Sequence, residues 1–294
     1  MIPVASRDEP QIIHILMKSL AFILILFIAV TNLNAWSGPG HMTVAAIAYR
    51  DLKPEEQKQI TEILAQHWEY PKWHEVAAKG VDEGLILMMG ASTWPDLIKF
   101  GHSHWNHKEW HYVDYPVTPA DFAIKASPSP ENDIVFAIDL IMKNLKDKAN
   151  TSRDKACWMA LLIHLVGDIH QPLHCCALIN PDFPAPLGDR GGNLIMVRGS
   201  EGRKGIAIHK MWDDAGGTSQ GFYEKQVRKY LNQATEWSEQ TKRAACPEIK
   251  QHTISEHWAR KTWGLAVEHA YLQGALRYGK TAEATVVLPE GYTK

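Results

Sequence analysis

Two histidine–carboxylate pairs recur in the sequence at the spacing of one helical turn. His164 precedes Asp168 by four residues, and His209 precedes Asp213 by the same interval. Residues four apart lie on one face of a helix, so each pair can point an imidazole and a carboxylate at one ion. A single pair of this kind is more often an ordinary hydrogen-bonded pair on a helix surface. Its recurrence, with His174 shortly after the first pair, predicts a metal centre.

The ligand types indicate which kind of metal centre this is. Imidazole and carboxylate without thiolate favour a catalytic zinc cluster, since structural zinc sites are usually closed and rich in cysteine. Asp96 in Trp-Pro-Asp and His111 in Trp-His-Tyr-Val-Asp are further candidate ligands of the same chemistry. The neighbouring His102, His104 and His107 are interpreted as solvent-facing loop histidines.

The N-terminal segment has the pattern of a secretory signal. Its apolar run has about the length of a signal-peptide core and is too short to span a bilayer of roughly 30 Å. Small Ala35 precedes Trp36, so we expect a signal peptide over 1–35 that is cleaved to give a secreted or periplasmic domain over 36–294. Cleavage would give Trp36 a free amine, which is a metal ligand. An uncleaved membrane anchor is the alternative interpretation of this segment.

Composition predicts one large domain. The chain has 294 residues, of which 45% are hydrophobic, and no repeat, low-complexity tract or linker divides it. The formal net charge is -2 at pH 7, which excludes a broad basic surface for nucleic acid. A polyanionic partner would therefore need a local positive charge, which bound zinc ions can supply.

The cysteines leave two interpretations open. The four residues Cys157, Cys175, Cys176 and Cys246 form an even set in a chain expected to be exported, which allows two disulfides in three connectivities. Cys175 and Cys176 are not expected to pair with each other, because the bond would strain the peptide between them. Buried free thiols are the alternative.

The pattern of apolar residues predicts an all-α fold, a single mainly helical domain with one small β-hairpin. The hairpin is expected from 193–197 and 206–208, on either side of a glycine-rich turn. A loop over 180–192, rich in Pro, Gly and Asp, follows His174 and should lie beside the metal centre. Apolar residues at three-four spacing predict the helices over 43–52, 55–68, 133–146, 154–169, 223–244 and 255–277.

Taken together, these motifs resemble the zinc-dependent, single-strand-specific type I nucleases of moulds, plants and bacteria, which share the fold of zinc phospholipase C. The resemblance covers most of the chain after residue 35. It rests on Trp36 with His41, Trp94-Pro95-Asp96, Trp110 to Asp114, His164 to His174, Gly191-Gly192-Asn193, and Ile208-His209 with Trp212-Asp213.

The resemblance implies three zinc ions per chain. It places Asp96, His111, His164 and Asp168 on the first ion, His174, His209 and Asp213 on the second, and Trp36 and His41 on the third, with Asp168 bridging the first and third. A water between the first and third ions would attack phosphorus, and cleavage would leave a 5′-phosphate. The same geometry would remove a 3′-phosphate from a nucleotide.

The resemblance also implies roles for five residues around the metals. Asp96 would orient the attacking water or accept its proton, and Lys99 would place a cation near the phosphate. Tyr112 and Asp114 would stack on and hydrogen-bond with one nucleobase, and Asn193 would help to line that pocket. Such a slot accepts only an unpaired base, because both faces of a base in a duplex are covered. The expected partners are single-stranded DNA and RNA and 3′-nucleotides, with no membrane and no obligatory protein partner, and we expect a monomer.

Two other functions fit part of the pattern. Zinc-dependent phospholipase C shares the fold and an N-terminal Trp ligand, but its pattern has Glu at the position of Asp213 and a wider gap between Trp36 and the first histidine. A non-catalytic extracellular zinc-binding protein would account for the histidines over 102–111, but it would not require Tyr112 and Asp114. The long loop over 175–190 departs from the nuclease pattern and leaves the substrate range open.

Overall fold

Helices build almost all of the core in the computed structural model, which describes residues 36–77, 80–99, 103–118, 132–198, 205–218, 222–241, 254–276 and 285–292. The all-α fold predicted from the sequence is confirmed. The expected signal peptide over 1–35, together with His102 and Cys246, lies outside the described residues. The helices are α1 (Gly38–Asp51), α2 (Pro54–Leu64), α3 (Tyr70–Ala77), α4 (Glu83–Ile98), α5 (Ile134–Lys146), α6 (Ser152–Asp168), α7 (Ile208–Asp213), α8 (Glu224–Thr241) and α9 (Ser255–Leu265).

Helix α4 is the centre of the core and packs against α1, α2, α3 and α6. Its residues from Gly84 to Pro95 are all buried. A helix surrounded on all sides by other helices is apolar all round and shows no three-four pattern. The sequence prediction missed α4 for this reason, and it also missed the short α3. A Cβ at Gly90 would lie 2.7 Å from the ring of Trp73, so this glycine lets α3 approach α4.

The predicted helices begin where side chains cap them. Asp133 precedes α5 and accepts hydrogen bonds from the amides of Val135 and Phe136. Thr151 and Asp154 form a reciprocal capping box at the start of α6, which fixes the helix that carries His164. The last predicted helix is only partly correct. It ends as α9, continues as a π-helical turn over Ala266–Ala270, and breaks where Leu272 and Gln273 have positive φ angles.

The strands are short and border the helical core. β3 (Met196–Arg198) pairs antiparallel with β4 (Ile206–Ala207), which confirms the predicted hairpin in shorter form. Two further pairings were not predicted, because two-residue strands carry no readable alternation. β1 (Pro116–Val117) runs parallel to β2 (Ala177–Leu178), and β5 (Val286–Val287) runs parallel to β3.

The three cysteines of the described part are free, buried thiols. No disulfide joins Cys157, Cys175 and Cys176 to one another, so for these residues the expectation of disulfides is wrong and the alternative interpretation holds. Burial raises the pKa of the Cys157 thiol to about 12 and that of Cys175 well above its ordinary value, which makes both poor nucleophiles. Among the described helices, none is long and apolar enough to span a membrane.

Candidate active site

His164 and Asp168 project from α6 toward the last turn of α4. His164 donates its Nδ1 proton to the carbonyl oxygen of Ser92 at 2.7 Å. A carbonyl can only accept, so Nδ1 carries a proton and Nε2 is the nitrogen through which His164 could bind a metal ion. Nε2 lies 3.0 Å from Asp168 Oδ2 and 3.5 Å from Asp96 Oδ1.

His111 completes this group from another part of the chain. It ends a 3₁₀ turn over Lys108–His111, and its Nδ1 lies 2.8 Å from Asp168 Oδ2 and 3.0 Å from His164 Nε2. Burial opposes ionisation of Asp168, but the neighbouring His164 and His174 outweigh it and hold the pKa of the carboxyl well below its usual range. Asp168 is therefore a carboxylate at the point where the imidazoles converge.

His41 reaches the same carboxylate from α1. Its ring stacks on His164 with centroids 4.0 Å apart, and its Nε2 lies 3.2 Å from Asp168 Oδ1. This buried Nε2 has no hydrogen-bond partner among the described residues. Gly167 makes the approach possible, because a Cβ there would lie 2.8 Å from His41 Nδ1. An orphaned imidazole nitrogen beside a carboxylate is the arrangement that a bound cation would satisfy.

A second group lies beside the first and is built from α7 and the turn after α6. His174 donates its Nδ1 proton to the carbonyl of His111 at 2.9 Å, and His209 donates its own to the carbonyl of Gly191 at 2.7 Å. Their Nε2 atoms lie 3.5 Å and 3.3 Å from the two carboxylate oxygens of Asp213. Gln171 donates to Asp213 Oδ1 at 2.9 Å and orients this carboxylate.

Trp36 begins the described chain at the edge of both groups. Its side chain is buried and packs edge-on against Trp237, with ring centroids 6.4 Å apart. The amide of Ser37 donates to the carbonyl of Asp213 and its hydroxyl donates to the carbonyl of Gly217, both at 2.5 Å. These contacts hold the start of α1 against the end of α7, so Trp36 lies in the wall of the cavity.

The converging side chains fit metal ions. Each of three sets of ligand atoms lies within 4.8 Å, and the ligands are nitrogen and carboxylate oxygen, which suit zinc. The sets are His41, Asp96 and His164; His111, His164 and Asp168; and His174, His209 and Asp213. The third set is the one expected for the second ion. The set with His41 places Asp96 beside His41 as well as beside His164. The division of ligands between the first and third ions therefore stays a prediction.

Each metal-ligand group contributes residues to the wall of an open cavity of about 580 Å³, although His41 and His164 do not line it. The residues predicted to bind substrate, Lys99, Tyr112, Asp114 and Asn193, line the same cavity. Lys99 Nζ lies 2.6 Å from Asp96 Oδ1. Burial opposes protonation of Lys99, but Asp96 and Asp168 raise its pKa, so it stays charged.

Tyr112 and Asp114 stand on one side of the cavity. Tyr112 is 41% exposed, so a ligand in the cavity can reach it. Burial, with the nearby Asp189, raises the pKa of Asp114 to about 6, so this carboxyl can exchange a proton near neutrality. His104 and His107 are not in the metal-ligand groups; His104 is exposed and His107 stacks on Trp110 with centroids 3.7 Å apart.

Asp189 is a functional residue that sequence reasoning missed. It is fully buried and accepts hydrogen bonds from the amide of Leu178 at 2.8 Å and from the hydroxyl of Tyr271 at 2.7 Å. It anchors the loop in which Gly191 supplies the carbonyl that orients His209. An acidic residue directly before Arg-Gly-Gly-Asn was the available signal, since buried carboxylates often cap backbone amides of glycine turns.

The fold and the site together define a mainly helical protein with a histidine–carboxylate candidate metal centre in an open, substrate-sized cavity. A sequence model of the family described as S1/P1 Nuclease matches residues 36–294. The chain belongs to this family, and its activity class is that of a nuclease, which hydrolyses phosphodiester bonds.

Curated relatives agree with this family. Endonuclease 4 of Arabidopsis thaliana is 24% identical over 272 residues, which cover 85% of this chain and 81% of the relative. Endonuclease 2 of the same plant is 23% identical, with 76% of this chain and 75% of the relative covered. Endonuclease 3 is 21% identical over 85% of this chain and 80% of the relative.

Proposed function

We propose that this nuclease is a zinc-dependent endonuclease that cleaves single-stranded DNA and RNA. The observation that carries the proposal is the position of Tyr112, whose exposed ring lies in the same cavity as the three metal-ligand groups. A base can stack on this ring only when its face is uncovered, as in a single strand. The names of the Arabidopsis relatives support internal cleavage, since all are endonucleases.

The residues around the cavity divide the work of hydrolysis. Zinc bound at these ligands would lower the pKa of a water molecule and neutralise charge on the phosphate. Burial opposes ionisation of Asp96, but His164 and Lys99 outweigh it and lower the pKa of this carboxyl. Asp96 is therefore ionised, and it orients the water or accepts its proton. The ammonium of Lys99 adds a positive charge where negative charge develops in the transition state.

The finer features of the proposal follow the resemblance to type I nucleases. We propose three zinc ions per chain, 5′-phosphate products and a 3′-nucleotidase activity. The protein would be secreted or periplasmic after cleavage behind Ala35, and it would act as a monomer. The adjacency of Trp36 to α7, through Ser37 and Asp213, supports a third ion near the N-terminus.

The test compares matched substrates. Protein purified after export is incubated with a single-stranded oligonucleotide and with its duplex. Labelling at the 5′ end of the products then shows whether that end already carries a phosphate. We expect much faster cleavage of the single strand, loss of activity with a chelator, and recovery with zinc. Equal rates on both substrates, or release of phosphocholine from lipid without nuclease activity, would contradict the proposal.

A further inference from the structure

Two exposed cations line the cavity and belong to none of the metal-ligand groups. Lys108 is in the 3₁₀ turn that ends at His111, and Arg190 directly precedes Gly191. Both line the cavity, and neither forms an ion pair within the described ranges. Some other surface cations are neutralised by neighbours, such as Lys210 by Asp214 at 2.6 Å. The cavity wall therefore carries two positive charges that nothing in the fold uses.

Arg190 keeps a side chain where the backbone favours glycine. Its φ angle is 56°, and the loop around it contains positive φ angles at Gly188, Gly191 and Gly192. A non-glycine residue in the left-handed region costs roughly 1–2 kcal/mol. The other three positions avoid this strain by having no Cβ, so the cation at Arg190 is present at an energetic cost. Strain of this kind is concentrated at functional sites.

The loop holds Arg190 in place by contacts on both sides. The side chain of Asn193 donates to the carbonyl of Arg190 at 2.8 Å, and the Arg190 amide donates to the carbonyl of Leu187 at 3.2 Å. Buried Asp189 ties the same loop to β2 through the amide of Leu178. The backbone that presents the guanidinium is therefore fixed, although the side chain itself is exposed.

Both cations line the same cavity as Tyr112, the ring that would receive the base. Lys108 is four residues before Tyr112 and belongs to the turn that precedes it. The charge of Arg190 acts on Tyr112, where it opposes the rise in pKa of the hydroxyl caused by burial and by Asp114. A nucleotide stacked on Tyr112 thus brings its backbone within the field of both cations, while its scissile phosphate lies at the metal groups.

We propose that Lys108 and Arg190 form a second phosphate subsite, which binds the phosphodiester group that flanks the base stacked on Tyr112. The guanidinium provides a planar pair of donors for phosphate oxygens, and the ammonium provides a point charge. This inference rests on the proposed function. A substrate with a single phosphate leaves the subsite empty, so we expect the subsite to make the enzyme prefer a polymer over a dinucleotide.

The experiment uses the full exported protein and two substrates. Arg190→Gly removes the charge and suits the positive φ angle, and Lys108→Ala removes the second charge from an exposed position. Initial rates are measured on a single-stranded 12-mer and on a dinucleoside monophosphate, which has only one phosphate. Two variants are controls. Arg190→Lys keeps a positive charge at this position. Lys143→Ala combined with Arg153→Ala removes one lysine and one arginine that are exposed but do not line the cavity.

For the double variant that combines Lys108→Ala with Arg190→Gly, we expect KM for the 12-mer to rise about 10-fold, which corresponds to about 1.4 kcal/mol. The slope of log(kcat/KM) against log salt should fall in magnitude by about 0.7, the value for one lost phosphate contact on a single strand. The dinucleoside monophosphate should be cleaved within about twofold of the wild-type rate. The Arg190→Lys variant should be affected much less than the Arg190→Gly variant. The control variant with Lys143→Ala and Arg153→Ala should match the wild type.

Two results would overturn the subsite. They are an unchanged KM and salt slope for the 12-mer, and an equal loss on both substrates, which would indicate general damage to the site. A wild-type protein that cleaves neither substrate in the presence of zinc would instead refute the proposed function. The two failures are therefore distinguishable.

Discussion

At the scale of single residues, the chemistry of the site depends on which nitrogen of each imidazole carries the proton. His164, His174 and His209 each donate from Nδ1 to a backbone carbonyl, so Nε2 is the nitrogen that each can offer to a metal ion. The partners are backbone atoms, and no side-chain substitution nearby can remove them directly. This arrangement pre-orients the ligands before an ion binds.

The first prediction concerns the exposed side chain of Tyr112. We expect Tyr112→Ala to reduce kcat/KM on single-stranded DNA by about 10- to 100-fold, since stacking of a base is worth about 1–3 kcal/mol. Tyr112→Phe is the matched control, because it keeps the ring and should retain most activity. Steady-state kinetics on single-stranded and duplex substrates give the measurement. An Ala variant that keeps its preference for single strands would show that this ring does not select the substrate.

At the scale of elements, short connections rather than long helices set the geometry of the second metal-ligand group. The turn after α6 carries His174, α7 carries His209 and Asp213, and the loop before β3 supplies the Gly191 carbonyl. Gly191 has a φ angle of 61°, and a Cβ there would lie 2.4 Å from the carbonyl oxygen of Leu173. The loop therefore depends on glycine at this position.

The second prediction follows from that contact. Gly191→Ala should move the carbonyl that orients His209, and we expect the protein to lose zinc from the second group and most of its activity. Gly264→Ala is the matched control: Gly264 lies inside α9 with nothing within 4 Å of the added Cβ, so it should keep its zinc and gain up to about 1 kcal/mol of stability. The zinc content of both variants is measured after gel filtration. An unchanged zinc content in the Gly191 variant would contradict the expectation.

The third prediction concerns the junction between α2 and α3, where His67 packs inside an aromatic cluster. Its ring stacks on Trp73 at 4.5 Å, its Nδ1 accepts from the amide of Glu69 at 3.1 Å, and burial lowers its pKa to about 3. The folded state therefore resists protonation, while the unfolded chain binds a proton below about pH 6.5. The free energy of unfolding should fall as the pH falls through this window.

His67→Phe removes that proton and keeps a ring against Trp73. Between pH 6.5 and pH 5, we expect the wild type to lose about 1.6 kcal/mol of unfolding free energy relative to the variant, because the unfolded chain takes up a proton over this interval and the folded chain does not. Urea unfolding at several pH values measures the difference. Parallel pH profiles for the two proteins would show that His67 has the same pKa in the folded state as in the unfolded chain. The metal-ligand histidines are common to both proteins, so their titration cancels in the comparison.

At the scale of the whole molecule, the site exists only because distant parts of the chain meet. His41 comes from α1, Asp96 from α4, His111 from a 3₁₀ turn, His164 from α6 and His209 from α7. In the absence of cations, the carboxylates in this cluster repel one another, and the buried Nε2 of His41 has no hydrogen-bond partner among the described residues. Bound ions should therefore stabilise the folded state as a whole, by an amount that grows with their concentration above Kd.

The fourth prediction tests the whole assembly at its N-terminus. A protein that starts at Trp36 should bind three zinc ions, and a protein with two extra residues before Trp36 should bind two, because an amide nitrogen cannot replace the free amine. Metal analysis and the melting temperature with and without a chelator measure both effects, and we expect the extended protein to have lower activity. Equal zinc content in the two proteins would contradict a role for the Trp36 amine. As a control for damage by the chelator, zinc is added back to the chelated protein that starts at Trp36, which should bind it again.

The sequence by itself determined the chemistry and most of the elements. The spacing in His164–Asp168 and His209–Asp213 predicts ligand pairs because a helical turn brings fourth neighbours together. The capping residues Asp133 and Thr151 likewise fix helix starts through local hydrogen bonds. Both kinds of signal are local, which is why they can be read without a structure.

Only the tertiary structure decided which residues meet across the fold. It grouped Asp96 with His41 and His164, revealed the buried anchor Asp189, and placed the cations of Lys108 and Arg190 in the wall of one cavity. It also supplied α4, which periodicity cannot detect because every face of that helix is covered. These features depend on contacts between segments far apart in the chain, whereas sequence patterns report only the interactions of near neighbours.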